Sequence, residues 1–203
     1  MRIRPVGRHA LLLDCADPGQ VEAWRAELWR RREAGELHAV EIVPAAATVL
    51  LDGVPDTDAT AARIAGWTPR PAPTTAAVRT VEVPVVYDGE DLPRVAAHWA
   101  VDVPEVVARL TDTAFRVAFC GFAPGFAYLT GLPQQWSVPR LPSPRPRVPA
   151  GSVALAGPYA GIYPTASPGG WLLVGRTGLT LFDVAADPPA TLTPGTRVRL
   201  VPA

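Results

Sequence analysis

Apolar and polar positions follow two different rhythms along this chain of 203 residues. Ala10–Asp14 is a short apolar run and reads as a strand. Asp17-Pro18-Gly19-Gln20 then reads as a helix start: Asp17 caps, Pro18 takes the first helical position and Gln20 completes the box. Val21, Trp24 and Leu28 follow at helical spacing and give one apolar face, which Gly35 ends. Val40–Val43 and Thr48–Leu51 are expected strands, and a second helix is expected from Thr57 or Asp58 through Ile64 to Gly66. Together these make a small α/β layer over residues 1–75.

Pro-dense residues 67–74 read as a linker, with a domain boundary near residue 75. Beyond it the rhythm changes to many short strands and little helix. Val78–Tyr87 is expected as an edge or bent strand because Pro84 interrupts it. Leu92–Trp99 and Pro104–Leu110 read as short helices, the second capped by Asp102. Phe115–Cys120, Ser152–Ala156, Trp171–Gly175, Thr180–Asp183 and Arg197–Val201 read as strands. This pattern predicts a closed or nearly closed β-barrel over 76–203, and an α+β fold for the whole.

Composition narrows the class. Hydrophobic residues make up 48% and the formal net charge is zero, as in an ordinary globular protein. A neutral chain without a basic tail argues against nucleic acid as the main partner. No stretch has membrane-spanning length and the N-terminus lacks an apolar signal core, so a cytoplasmic location is expected. Two Cys and three scattered His give neither a disulfide framework nor a metal-ligand spacing.

Charge patterning changes the picture more. Between Thr113 and Phe182 there is no Asp or Glu, whereas Arg116, Arg140, Arg145, Arg147 and Arg176 all fall there. An Arg fork suits a carboxylate or phosphate, so a small anion held by arginine and by backbone N–H groups is one reading. Surface arginines paired with acids from elsewhere in the fold are the alternative. Arg176, flanked by strand residues, is the foremost candidate for an anion contact, and Arg140 and Arg145 follow it.

The same stretch is rich in Gly, Pro and aromatic residues. Phe122, Phe126, Tyr128 and Trp136 are candidates to line a pocket or an interface. Ser167-Pro168-Gly169-Gly170-Trp171 reads as a compact turn whose N–H groups, at Gly169 and Gly170, face an oxygen anion. Tyr163 and Thr165 supply hydroxyls beside it, for a substrate or for local backbone. Asp112 and Asp183 are the available acid–base carboxylates, and neither has a partner visible in sequence. Cys120 reads as a small buried hydrophobe rather than a nucleophile. No nucleotide-binding glycine motif is present, so no ATP site is expected in the chain itself.

The segments GFAPGFAYLTGLP, SPRPRVPAGSVALAG, GIYPTASPGGWLLVGRT and LFD, in this order, closely resemble the signatures of one bacterial family. That family includes the B subunit of ATP-dependent 5-oxoprolinase. It has also been labelled allophanate hydrolase subunit 1 and KipI-like, after an inhibitor of a sporulation histidine kinase. The resemblance covers Thr80 to the C-terminus well and the N-terminal segment more loosely. It implies a small N-terminal α/β domain followed by a cyclophilin-like β-barrel. It implies one member of a multi-subunit 5-oxoprolinase, whose partners are a homologous C subunit, which shares the site, with an A subunit, the ATP-dependent partner. Together they open the lactam of 5-oxoproline to glutamate, with ATP used by the complex and no cofactor bound by this chain alone. The alternatives are a kinase regulator and a subunit of a related amide or urea-derivative hydrolase. Matching positions include Gly121, Phe122, Phe126, Arg140, Arg145, Tyr163, Gly169, Gly170, Arg176 and Asp183. The chain departs from the pattern at Leu110, where members often carry His, at Ala114-Phe115, where Glu-Tyr is common, and at Arg8, where Asp is common.

Overall fold

The computed structural model describes residues 1–69 and 79–203. The domain boundary expected near residue 75, and the linker from residue 70 onward, lie outside the described residues. The chain divides into two units, Met1–Ala76 and Ala77–Ala203, taken in turn below.

In the first unit the elements are β1 (Arg2–Pro5), β2 (Ala10–Asp14), α1 (Pro18–Glu33), β3 (Glu41–Pro44), β4 (Thr48–Asp52) and α2 (Thr57–Ala65). The strands form one antiparallel sheet in the order β1-β2-β4-β3. Alternate residues Leu11, Leu13, Val49 and Leu51 face the helices and pack with Val21, Trp24, Leu28 and Ile64. Each fully buried side chain of this size contributes roughly 2 kcal/mol. Asp17 caps α1, accepting from the Gln20 N–H at 2.8 Å, while the Gln20 side chain accepts from the Ala16 N–H. The cap of α2 is Asp56, one residue before the expected start, accepting from the Ala59 N–H.

The second unit contains β5 (Thr80–Val85), α3 (Leu92–Trp99), α4 (Val103–Asp112), β6 (Phe115–Cys120), β7 (Ala127–Thr130), β8 (Arg145–Val148), β9 (Ser152–Ala156), β10 (Tyr159–Ile162), β11 (Ser167–Gly169), β12 (Leu172–Arg176) and β13 (Arg197–Pro202). Seven strands form a mixed sheet in the order β12-β9-β10-β7-β6-β13-β5, with β13 and β5 parallel. Its two edges meet where Val86 and Arg176 exchange backbone hydrogen bonds of 2.9 Å each. The sheet is therefore a nearly closed barrel. Pro84 is tolerated because β5 is an edge strand of the seven. The expected strand Thr180–Asp183 does not form. Only a single bridge, Phe182 to Ala190, stands there, because the chain turns to run along the 190s instead of entering the sheet.

The strands of this barrel bury both faces. In β9, Val153 and Leu155 join the main core with Val95, Val106 and Leu110 of the helices, while Ala154 and Ala156 join a second cluster with Phe126, Tyr163, Trp171 and Leu173. Near-continuous apolar runs are the sequence signature of strands covered on both sides. The second, aromatic face carries the site described next.

Candidate functional site

The aromatic face is built from β7, β9, β10 and β12 and the residues that flank them. Phe126 sits at its centre, with ring centroids 5.1 Å from Tyr128, 5.3 Å from Tyr163 and 5.5 Å from Trp171, all tilted or edge-to-face. Tyr159 adds an edge contact to Tyr128 at 5.8 Å. Such offset geometries are the favourable ones for aromatic rings. The two-stranded sheet of β8 and β11 and the segment before β8 border this face.

Arg140 is positioned from its backbone. On one side Val138 exchanges hydrogen bonds with Gly157, and on the other the Leu141 N–H donates to the Gly170 carbonyl at 2.7 Å. Just upstream, α3 grips the same segment: Trp99 Nε1 donates to the Trp136 carbonyl and His98 Nε2 meets the Ser137 carbonyl, both at 2.9 Å. The Arg140 side chain is exposed and has no ion pair or hydrogen bond among the described residues.

Two adjoining cavities share Arg140, Tyr128 and Trp171 as walls. The larger, about 400 Å³, is an open groove completed by Val138, Pro139, Ala156, Gly157, Pro158 and Tyr159. The smaller, about 50 Å³, is more enclosed and is completed by Phe122, Phe126, Tyr163, Pro168 and Gly169. Arg140 is the charged side chain common to both, and no acidic residue among those described lines either. Gly169 is required at its place, because an added methyl there would overlap the Tyr163 hydroxyl. Burial raises the Tyr163 phenol above its ordinary value, while the Arg140 charge and the Trp171 backbone oppose this in part. Tyr163 is thus a protonated hydrogen-bond donor at neutral pH.

Phe122 stands at the mouth of the smaller cavity. Gly121 C=O accepts from the Ala123 N–H at 2.9 Å, closing a three-residue turn with Phe122 at its centre and a φ of 71°. Its ring meets Phe126 at 5.2 Å and Tyr163 at 6.2 Å, both edge-to-face, yet the residue is 61% exposed.

The other two candidate arginines are accounted for by one acidic turn, Asp88 to Asp91. Arg145 forms ion pairs with Glu90 at 2.7 Å and Asp91 at 2.8 Å, and its Nη1 donates to the Trp171 carbonyl. Asp91 is buried and also accepts from the Leu173 N–H at 2.7 Å. Arg145 therefore acts behind the cavity wall. Arg176 pairs with Asp88 at 2.8 Å on the exposed end of β12, and it is not among the residues lining either cavity. Gly89 fits against β12 only without a side chain, since a methyl there would overlap the Leu173 carbonyl.

The structure thus brings Arg140, Tyr163, Phe122, Phe126 and Gly169 together, with Gly170 against Pro144 and Leu141 beside them. Ser167–Gly169 is strand β11 paired with β8 rather than a compact anion-binding turn, because the Pro-rich residues opposite offer a partner strand. Trp136 packs on Trp99 at 5.4 Å with Arg109 over its ring, away from the cavities. Asp112 and Asp183 are both outside the walls of these cavities. Burial pushes the Cys120 thiol up to about 11, and its Sγ donates to the Leu192 carbonyl, which fits an inert packing role. Leu110, the position of the first family departure, is fully buried in the main core. Tyr159 escaped the sequence reading, and Trp171 entered it as a turn and strand residue rather than as a cavity wall, although the unbroken apolar run ahead of Arg176 signalled a strand with two buried faces.

The comparisons with known proteins place the chain. Residues 1–192 match the model of the family described as carboxyltransferase domain, subdomain C and D. The B subunit of 5-oxoprolinase from Haemophilus influenzae is 33% identical over 208 residues, covering 99% of this chain and 97% of that protein. The B subunit of 5-oxoprolinase from Escherichia coli O157:H7 is 50% identical over 127 residues, covering 61% of this chain and 58% of that protein. The crystal structure of TTHA0988 superposes with a TM-score of 0.78 at 33% identity, covering 100% of this chain and 40% of that one. The match thus spans less than two thirds of the E. coli relative and of TTHA0988. The chain belongs to the carboxyltransferase domain, subdomain C and D family, and is related within it to the B subunits of 5-oxoprolinases.

Proposed function

We propose that this chain is the B subunit of an ATP-dependent 5-oxoprolinase and contributes substrate binding to the hydrolytic opening of the 5-oxoproline lactam. In that reaction the ring C–N bond breaks, water supplies the new carboxylate oxygen and the ring nitrogen leaves as the amine of glutamate. The observation that carries the reading is Arg140: an unpaired guanidinium on the rim of an aromatic, acid-free site suits a small carboxylate. The names of the E. coli and H. influenzae relatives support it. Arg140, Tyr163, Phe122, Phe126 and Gly169 contact the substrate on this reading; Gly170 and Arg145 shape the wall, and Arg176 holds the barrel seam.

The homologous C subunit fills out the site, and the A subunit supplies ATP-dependent activation, consistent with the lack of a phosphate-binding glycine motif here. The barrel is of cyclophilin-like type on this reading, and the complex is cytoplasmic. No described helix is long and apolar enough to cross a membrane. A lined concave site supports an enzyme subunit over a kinase regulator, which needs only an exposed apolar patch.

The test is co-expression with the A and C subunits, followed by measurement of glutamate release from 5-oxoproline and ATP. The control omits this chain alone. Glutamate that appears only in the complete mixture is the expected result. A verified, assembled complex that releases none overturns the assignment.

A further inference from the structure

The two cavities differ in a way that assigns an orientation to the ligand, on the reading that it is a small cyclic carboxylate. A volume of about 50 Å³ admits a few non-hydrogen atoms, whereas about 400 Å³ lies within the range of small-molecule sites. Arg140 reaches both cavities, but the smaller adds the Tyr163 hydroxyl against the Gly169 backbone and exposes mainly polar atoms, whereas the larger exposes mainly apolar ones. The larger is walled by the rings of Tyr128, Tyr159 and Trp171 and by prolines, which suit the flat face of a weakly polar ring.

Phe122 supplies an independent observation. A bulky aromatic residue at positive φ costs of the order of 1 kcal/mol or more. Phe122 recovers little of that by burial, since it is 61% exposed. Its ring lines only the smaller cavity and stands edge-on to Phe126 and Tyr163. Its two edge contacts offset part of the backbone cost but leave most of the ring in solvent. A lid over the smaller cavity accounts for the exposed ring.

We propose that the two cavities form one site, with the carboxylate head of the ligand in the smaller cavity between Arg140 and Tyr163, its ring in the larger, and Phe122 closing over the head as the specificity-determining residue. The site then selects for a planar, compact, anionic head. An uncharged carboxamide of the same shape forfeits the Arg140 contact. A headless ring leaves the smaller cavity to water.

The experiment is equilibrium binding to the assembled complex of this chain with the C subunit, read by tryptophan fluorescence, with 5-oxoproline, 5-oxoprolinamide and 2-pyrrolidinone as probes. The proposal expects 5-oxoproline to bind at least about tenfold tighter than either analogue. Arg140→Gln erases that preference. Phe122→Gly weakens 5-oxoproline without changing 2-pyrrolidinone, and unfolds at no lower temperature than the wild type. Equal affinities for acid and amide, a preference that survives Arg140→Gln, or no binding of any probe each overturn it. These outcomes separate from the functional reading. A complex that releases glutamate without the acid-over-amide preference refutes the orientation alone, and a preference without glutamate release refutes the oxoprolinase reading alone.

Discussion

The two units treat arginine in opposite ways. On α1 every arginine is engaged locally. Arg25 pairs with Glu22, Arg30 and Arg31 share Glu27, and Arg32 lies over the Trp29 ring and donates to the Val40 carbonyl. In the acid-free stretch of the second unit, neutralisation comes from far away in the chain. Asp91 and Asp88 reach Arg145 and Arg176 across 54 and 88 residues. Arg140 and Arg147 receive no such partner among the described residues, and of these two Arg140 lines the cavities. A window of sequence shows where cations accumulate, but only the fold shows which cation is left for a ligand. In the first unit arginine contributes stability; in the second, Arg140 is held in reserve.

Removing the carboxylates that neutralise these arginines is the strongest way to break the contrast. Asp91→Ala leaves Arg145 without its buried partner and the Leu173 N–H without an acceptor. A loss of about 3 kcal/mol or more is expected from urea unfolding of the full chain.

Glu27 gives the next largest effect. It is 2% exposed, and hydrogen bonds from Arg30 and then Arg31 hold its carboxyl down at about 2 against the opposing cost of burial. A depressed carboxyl stabilises the fold above its ordinary range and ceases to as pH falls. Glu27→Gln should therefore cost about 2 kcal/mol at pH 7. The gap between variant and wild type should close as the pH falls from about 4.5 to about 2 in a series of denaturation curves.

Arg176→Gln removes an exposed pair with side chains 64% and 46% accessible. A change of at most about 1 kcal/mol is expected by thermal unfolding. Smallest of all is Arg140→Gln, for which unfolding curves should overlay the wild type within about 0.5 kcal/mol, since the residue is exposed and unpaired. A large destabilisation there would place Arg140 with the structural arginines and erase the contrast.

Much of the framework was legible in the sequence. Phe115–Cys120 and Ser152–Ala156 form at their expected limits, and Asp17-Pro18 opens α1, because capping chemistry and apolar runs act locally. β8, β10 and β11 were not legible. Their Gly- and Pro-rich segments have weak intrinsic strand preference and are fixed by pairing that composition does not announce. Thr180–Asp183 has the strand composition without a free sheet edge to join. The site divides in the same way. Arg140, Tyr163, Phe122, Phe126 and Gly169 stood out by charge and composition, and the fold brings them together. The prominence of Arg176 came from its unbroken apolar surroundings, and its partner lay outside that view.

The most direct test of the central claim is the KM for 5-oxoproline of the reconstituted complex carrying Arg140→Gln, set beside the same complex carrying Arg176→Gln. The account predicts a rise of about tenfold or more for Arg140→Gln and a KM close to wild type for Arg176→Gln. The reverse pattern, or equal effects from both, would contradict it.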